Sequence, residues 1–343
     1  MRDGMLVVDG DGHVLEDLSD LRKRLKPEWA RRDMLFPYDG YDRSVGGTLG
    51  KYTTNARTHL EDMDVEGIDL AVLYPTWTLT IGEIREREFA VDAARAYNDW
   101  LADYCNTDPR RMKGVALLAV QDIEAACREL QRAVKELGFV AAMVPTWMKY
   151  KTCSPGDSYY DPLYAECERL GVPVAFHATG GDRGEARLQS FLALHVFSHV
   201  PEQMLSLTGF ILDGVLERFP RLSVGFMEAG CGWLPFWMEH MDEEYAKRPH
   251  EAPLLKMKPS EYIKSGRVYV GCEPEESLLG VAAQWIGEDQ IVYASDYPHW
   301  DSDWPHTVSA IADRTDIADT LKRKVLGENA LRMYGLQAPV AAR

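Results

Sequence analysis

The sequence lacks the features that mark membrane proteins and nucleic-acid-binding proteins. No apolar run approaches the ~18 residues that cross a bilayer, so we expect no membrane partner. Lysine and arginine are scarce, 38 against 54 aspartate and glutamate residues, and the net charge is −16. A nucleic-acid-binding protein would present a basic surface, so we expect no nucleic-acid partner. The acidic net charge does not exclude an anionic substrate, because a metal and a nearby arginine can dominate the electrostatic field inside a pocket.

The chain also lacks a CxxC pair, a linker-like stretch and an internal repeat. Its six cysteines are spread along the sequence, and the segment beginning at Met1 contains only a short apolar run. We therefore expect reduced thiols and a cytoplasmic location. Because no shift in composition divides the chain, we predict a single domain over residues 1–336 and a loose tail at residues 337–343.

Short, β-rich apolar runs are present at regular intervals along the chain. They cover residues 6–8, 69–74, 113–118, 139–144, 172–177, 222–228, 267–273 and 291–296. Continuous apolar runs of this length are typical of parallel strands that are buried on both faces.

Amphipathic stretches alternate with these runs. They cover residues 58–66, 86–106, 122–137, 160–170, 204–218, 235–246, 275–285 and 317–326. Eight strands alternating with helices predict an α/β fold of the (β/α)8 barrel type, with an insert at about residues 15–54 as a lid over the active face. A doubly wound open sheet is the alternative, but the first strand leads into DGDGH rather than a GxGxxG loop.

Ionisable residues stand where the apolar strands end. Alternation along the first strand places Asp9, Asp11 and His13 on one face, and four further strands end on His177, Glu228, Glu273 and Asp296. Buried ionisable groups are unfavourable without a partner, and a divalent cation is the simplest partner that they share. In a barrel all these positions lie at one end, so the pattern predicts a metal site there.

Each residue also has a simpler interpretation by itself. His177 alone is compatible with a core histidine, and Asp296 alone with a helix N-cap. DGDG alone suggests a turn or a calcium loop, although the twelve-residue EF-hand spacing with its terminal Glu is absent. The metal prediction therefore depends on the positions taken together.

Several longer phrases resemble the amidohydrolase superfamily. They are HLEDMDVEGID at residues 59–69, VLERFPRLSVGFMEAG at 215–230, IVYASDYPH at 291–299 and GENALRMYGL at 327–336. Together with DxDxH, the strand-five His and SDxP, they are most similar to the branch that contains aminocarboxymuconate semialdehyde decarboxylase and the resorcylate-type decarboxylases. The resemblance extends over nearly the whole chain.

The resemblance implies a role for each matching position. Asp11, His13, His177 and Asp296 are the implied metal ligands, and Asp296, Glu228 and His177 the implied catalytic residues. Glu228 stands where many relatives have a His, so it serves here as a general acid–base group or as a ligand. Binuclear relatives use a modified Lys on strand four, which FVAAMVPTW does not contain. We therefore expect one divalent transition metal, and this mixed ligand set favours zinc or manganese.

Other residues are weaker candidates. His299 and Trp300 are expected to line the mouth of the site. Arg183 and Arg57 are expected to bind a substrate carboxylate. Glu273 and Asp9 are expected to hydrogen-bond the ligands and so to orient them. His195 and His199 are four residues apart, as on one helix face, but no HExxH motif is present. Core packing or a place near the substrate is therefore favoured over metal ligation for this pair, although one of them can still reach the site.

The function predicted from these residues is a metal-dependent enzyme. It either decarboxylates or hydrolyses a carboxylated, cyclic or aromatic small molecule. The first alternative is a hydratase or other non-hydrolytic lyase that uses Glu228 as its acid–base group. A binding or scaffold protein with a degenerate site is the non-enzyme alternative. The family resemblance also implies a homodimer.

Overall fold

Eight parallel strands form the centre of the molecule in a computed structural model, which describes residues 4–33, 35–36, 55–151, 153–178, 188 and 190–338. Neighbouring strands follow the order of the chain. The strands are β1 (Val8–His13), β2 (Leu70–Tyr74), β3 (Met112–Leu117), β4 (Ala141–Pro145), β5 (Val174–His177), β6 (Val224–Met227), β7 (Val268–Cys272) and β8 (Ile291–Tyr293). The predicted (β/α)8 barrel is confirmed.

Backbone hydrogen bonds join β1 to the segment that follows β8. Asp296 N donates to Asp11 O at 3.2 Å, and His13 N donates to Tyr297 O at 2.7 Å. The first strand and the segment after the last strand therefore meet along a seam that closes the barrel. Three of the predicted metal ligands, Asp11, His13 and Asp296, take part in these hydrogen bonds.

Helices surround the barrel. They are α1 (Leu18–Arg24), α2 (Ala56–Glu66), α3 (Arg87–Cys105), α4 (Ile123–Glu136), α5 (Asp161–Leu170), α6 (Phe191–Leu212), α7 (Val215–Arg218), α8 (Leu234–Lys247), α9 (Pro259–Ile263), α10 (Leu279–Ile286), α11 (Thr307–Ala312), α12 (Asp319–Arg323) and α13 (Asn329–Met333). No helix in the described part of the chain is both long and apolar enough to cross a membrane.

Local sequence signals account for several helix ends. The Asp122 side chain accepts from Ala125 N at 3.0 Å and so caps α4. Gly138 and Gly171 adopt φ values of +74° and +71° just past α4 and α5, as the C-terminal glycine signal predicts. About half of the predicted insert lies outside the described residues, since residue 34 and residues 37–54 are not covered. Its role as a lid stays a prediction.

Some predicted boundaries are wrong. β8 ends at Tyr293 rather than at Asp296. β1 does continue through His13, as expected, and its polar segment DGDGH pairs with β2 and is fully buried. A bulge between Asp9 and Gly12 also breaks the strict alternation that was expected there. Helix α6 begins thirteen residues before position 204, at Phe191, where the Ser190 side chain accepts from Ala193 N.

Buried polar side chains form hydrogen bonds with backbone N–H and C=O groups at the ends of strands. Asn98 of α3 donates to Leu117 O at 3.0 Å and accepts from Leu117 N at 2.9 Å at the end of β3. The Glu16 carboxylate accepts from the backbone N–H groups that follow β2, including that of Thr78 at 2.9 Å. Each of these bonds replaces, at the carboxyl end of the barrel, a strand partner that the backbone no longer has.

His59 of α2 provides a test of how this packing depends on pH. Burial lowers the pKa of His59 from 6.5 to about 4. The unfolded chain therefore binds a proton between these pH values that the folded chain does not bind. For the wild type we expect the contribution of His59 to the free energy of unfolding to shrink as the pH falls through 6.5 and to level off below about 4. The total loss is about 3 kcal/mol, at 1.36 kcal/mol per pKa unit.

Denaturant unfolding of the wild type and of His59→Asn measures this effect. Asparagine keeps a polar atom near the Tyr104 hydroxyl, which lies 3.0 Å from His59 Nδ1. The stability advantage of the wild type should decrease between pH 7 and pH 4. The same substitution at His240, which is exposed, serves as the control. Parallel stability curves for wild type and His59→Asn would contradict the prediction.

Candidate active site

The polar strand ends meet at the carboxyl end of the barrel. Asp11 and His13 end β1, and His177 ends β5. Glu228 follows β6 directly, and Asp296 follows β8 by three residues. The topology brings all five side chains into one cluster, although they are up to 285 positions apart in the sequence (296 − 11).

The two strand histidines direct the same ring atom into the cluster. His13 Nδ1 lies 2.7 Å from Pro75 O, and His177 Nδ1 lies 2.8 Å from Ala178 O. A carbonyl only accepts, so Nδ1 carries the proton in both rings, and in the neutral ring Nε2 then presents a lone pair. The two Nε2 atoms are 3.2 Å apart.

Carboxylates face the same point. Asp11 Oδ1 is 3.5 Å from His177 Nε2 and 3.8 Å from His13 Nε2, and Asp296 Oδ1 is 3.5 Å from His13 Nε2. Asp11 Oδ1 is buried and accepts no hydrogen bond from the described residues. Lone pairs and carboxylate oxygens that converge in this way repel one another unless a cation lies among them. The donor set therefore fits a divalent metal ion.

His299 completes a second part of this cluster. Its Nδ1 lies 2.6 Å from Asp296 Oδ1, and its Nε2 lies 2.9 Å from the Thr76 hydroxyl. His13, Glu228, Asp296 and His299 each offer an atom within 4.8 Å of the others, as do Asp11, His13 and His177. Sequence reasoning placed His299 only at the mouth. The position of His299, three residues after Asp296, is the feature of the sequence that could have predicted its contact with Asp296.

Glu228 lies beside the cluster, next to His177 and His299. Its Oε2 is 3.2 Å from His177 Nδ1, and its Oε1 is 3.6 Å from His299 Nδ1. Glu228 and Asp296 have φ values of 58° and 54°, the only positive φ values among the described non-glycine residues. This conformation costs about 1–3 kcal/mol for such residues and is concentrated at functional sites.

Burial and neighbouring carboxylates perturb the acids of the site. Burial, followed by Asp301 and Asp11, raises the pKa of Asp296 well above its usual range. Burial, followed by Asp296, does the same to the pKa of Glu273, which lines the cavity. Crowded acids of this kind favour a bound cation, since it would stabilise their ionised forms.

Asp9 supports the first strand from behind. It accepts hydrogen bonds from Ser295 N at 3.0 Å, from the Ser295 hydroxyl at 2.5 Å and from Asp11 N at 3.2 Å. Burial raises the pKa of Asp9 to about 7, although the Ser295 hydrogen bonds oppose this rise. A Cβ on Gly12 would lie 2.5 Å from Asp9 Oδ2, so only glycine fits at the bulge.

A cavity of about 250 Å³ opens onto this cluster, and α6 forms one wall. His195 Nε2 is 3.3 Å from Asp301 Oδ2, and His199 Nε2 is 3.9 Å from Glu228 Oε2. The His195 ring lies between those of His199 and Trp300, with centroids 4.8 and 5.1 Å away. Both histidines thus face the cavity rather than the core.

The described residues place neither of the arginines predicted to bind a substrate carboxylate at the cluster. Arg57 is exposed in the first turn of α2, and Arg183 lies outside the described residues. Strand β4 contains no lysine. Lys149 beyond it pairs with Glu83, with 3.1 Å between Nζ and Oε2.

Known proteins resemble this chain over most of its length. The amidohydrolase family model matches residues 10–336. The 2-amino-3-carboxymuconate-6-semialdehyde decarboxylase of Dictyostelium discoideum is 26% identical over 279 residues, 81% of this chain and 76% of the relative. The gamma-resorcylate decarboxylase of Rhizobium radiobacter is 29% identical over 287 residues, 78% of this chain and 86% of the relative.

A solved structure has the same fold. It is the 5-carboxyvanillate decarboxylase of Novosphingobium aromaticivorans, complexed with manganese and 4-hydroxy-3-methoxy-5-nitrobenzoic acid. Its TM-score is 0.76 at 23% identity, and the match covers 98% of this chain and 97% of that chain.

Proposed function

The chain belongs to the amidohydrolase family, and from this premise we propose that it is a mononuclear, metal-dependent decarboxylase of aromatic or cyclic carboxylates. The observation that carries the proposal is the pair of His13 and His177 Nε2 atoms, 3.2 Å apart and faced by carboxylates. The decarboxylase names of the relatives favour loss of CO2 over hydrolysis.

Asp11, His13, His177 and Asp296 are the proposed metal ligands. A bound divalent metal supplies positive charge that polarises the oxygens of a substrate. Manganese is preferred over zinc in this proposal, since the manganese-containing decarboxylase shares the fold. His299 orients Asp296, because its ring is fixed between Asp296 Oδ1 and the Thr76 hydroxyl.

Glu228 is the proposed general acid. The bond between the substrate carbon and its carboxylate breaks, the electron pair stays on that carbon, and CO2 leaves. The protonated Glu228 donates its proton to the same carbon, and solvent then restores the acid. Glu228 lines the cavity together with Asp296, and its Oε1 lies 3.6 Å from His299 Nδ1, so a substrate bound in the cavity lies within its reach.

The cavity favours a small, planar substrate. Its volume of about 250 Å³ is near the lower end of small-molecule sites, which begin at about 300 Å³. The His195 ring lines the cavity, with the Trp300 ring beside it at a centroid distance of 5.1 Å, so a single aromatic ring can pack against His195. We therefore propose a one-ring aromatic acid as the substrate, with His195 as a contact residue.

A panel of substrates tests the proposal. Purified, manganese-loaded protein would be assayed for CO2 release from hydroxylated benzoic acids, and in parallel for hydrolysis of lactones and amides. We expect CO2 release alone. Hydrolysis without CO2 release would reject the decarboxylase proposal in favour of the hydrolase that the same residues also permit.

A hydratase is the second candidate, and Glu228 is the observation that favours it. A carboxylate suits addition or removal of water beside a carbonyl, and family members usually have a histidine at this position. Loss of absorbance from an unsaturated keto acid, without CO2 release, would identify this activity. The homodimer and the cytoplasmic location stay predictions.

A further inference from the structure

Gln203 of helix α6 joins the ends of two neighbouring strands. Its side-chain Nε2 donates to Phe176 O at 2.9 Å and to Met227 O at 2.7 Å. The residue is completely buried, with 0% of its surface exposed. An amide nitrogen has two N–H groups, so both are used by these two carbonyls.

The two carbonyls precede the functional residues directly. The carbonyl of Phe176 belongs to the peptide unit that leads into His177, and that of Met227 to the unit that leads into Glu228. β5 and β6 pair up to His177 and Met227 and no further. Beyond this point the sheet no longer fixes the backbone, and Glu228 turns to its positive φ.

We propose that Gln203 is a positioning residue that sets the spacing between His177 and Glu228. One planar amide holds both peptide units, so the two Cα atoms cannot move independently. The distance that Gln203 would control is that between His177 Nδ1 and Glu228 Oε2, which is 3.2 Å. The inference rests on the proposed function, in which His177 binds the metal and Glu228 transfers the proton.

The alternative is that Gln203 contributes stability alone. Its hydrogen bonds would stabilise the fold like any buried pair, with no particular effect on the reaction. Gln290 provides the matched control for this alternative. It is also buried, and its Nε2 donates to Ile263 O at 3.2 Å just before β8, at the opposite end of the barrel.

The experiment compares Gln203→Met with Gln290→Met. Methionine has a similar length but no N–H donor. We expect both variants to lower the unfolding midpoint, whereas only Gln203→Met reduces kcat, by about 10-fold or more with KM within 3-fold. Misplacement of catalytic groups by fractions of an ångström is sufficient for such a loss. Equal kcat values for both variants would overturn the proposal.

Two further readouts do not need turnover. Hydrogen–deuterium exchange should accelerate in peptides covering residues 174–178 and 224–231 of Gln203→Met, and titration with Mn²⁺ should show weaker binding, by about 10-fold. Gln203→Asn is the second variant in case the first does not fold, since the shorter amide reaches at most one carbonyl. Unchanged exchange and unchanged Mn²⁺ affinity would contradict the positioning role. A wild type without Mn²⁺ binding or CO2 release would instead reject the proposed function.

Discussion

Removal of the divalent metal is expected to reduce turnover by about 100-fold or more and to lower the thermal stability of the protein. The rate falls because the converging oxygens and imidazole Nε2 atoms would no longer hold the positive charge that the reaction needs. The stability falls because a ligand that binds only the folded state contributes about 2.7 kcal/mol at 100 times its Kd.

Dialysis against a chelator, followed by thermal unfolding and activity assays, measures both effects. Addition of Mn²⁺ should restore both. Asp11→Asn is a complementary variant, because it keeps the shape of the side chain and removes the charge of a buried oxygen that accepts no hydrogen bond from the described residues. Full activity in protein that metal analysis finds free of transition metals would exclude the proposed chemistry.

Replacement of Glu228 by glutamine should reduce kcat by about 100-fold or more while the protein stays folded and binds metal. The amide is nearly the same size, but it has no proton to donate to the substrate carbon. KM should change little, since Glu228 acts on the carbon that loses CO2 and not on the substrate carboxylate.

Glu66→Gln is the matched control for this substitution. Glu66 is buried, whereas Glu228 is partly exposed to the cavity, and Glu66 accepts hydrogen bonds from the backbone and the hydroxyl of Thr307 at 2.9 and 2.8 Å. Its replacement should lower stability without the loss in kcat. If Glu228→Gln turns over as fast as the wild type, Glu228 has no part in proton transfer.

Much of the barrel could be predicted because its strands are short apolar runs that lie between amphipathic stretches. Each run is long enough for one strand, and the polar residue at its end marks the functional face. That logic alone places Asp11, His177 and Asp296 at one end of the barrel. It depends only on local pattern and on the rule that parallel strands end together.

The details that the sequence did not predict depend on contacts between distant segments. The bulge at Gly12 leaves the alternating pattern of DGDGH unchanged, so no local signal reveals it. Helix α6 begins earlier than its apolar pattern predicts, because its first turns expose Leu192 and Val196 and show no simple apolar face. Gln203 looks like any helical glutamine until its two carbonyl partners are known.

The seam between β1 and the segment after β8 would give a bound metal ion a mechanical role. Asp11 and Asp296 stand on opposite sides of that seam and are joined there by one backbone hydrogen bond. An ion held by both would cross-link the two ends of a loop of 285 residues (296 − 11). The entropic cost of closing a loop grows with its length, so a metal ion that closes so long a loop can contribute most to stability. A bound ion would therefore also hold the two sides of the seam together, and opening of the barrel at the seam would release the ion.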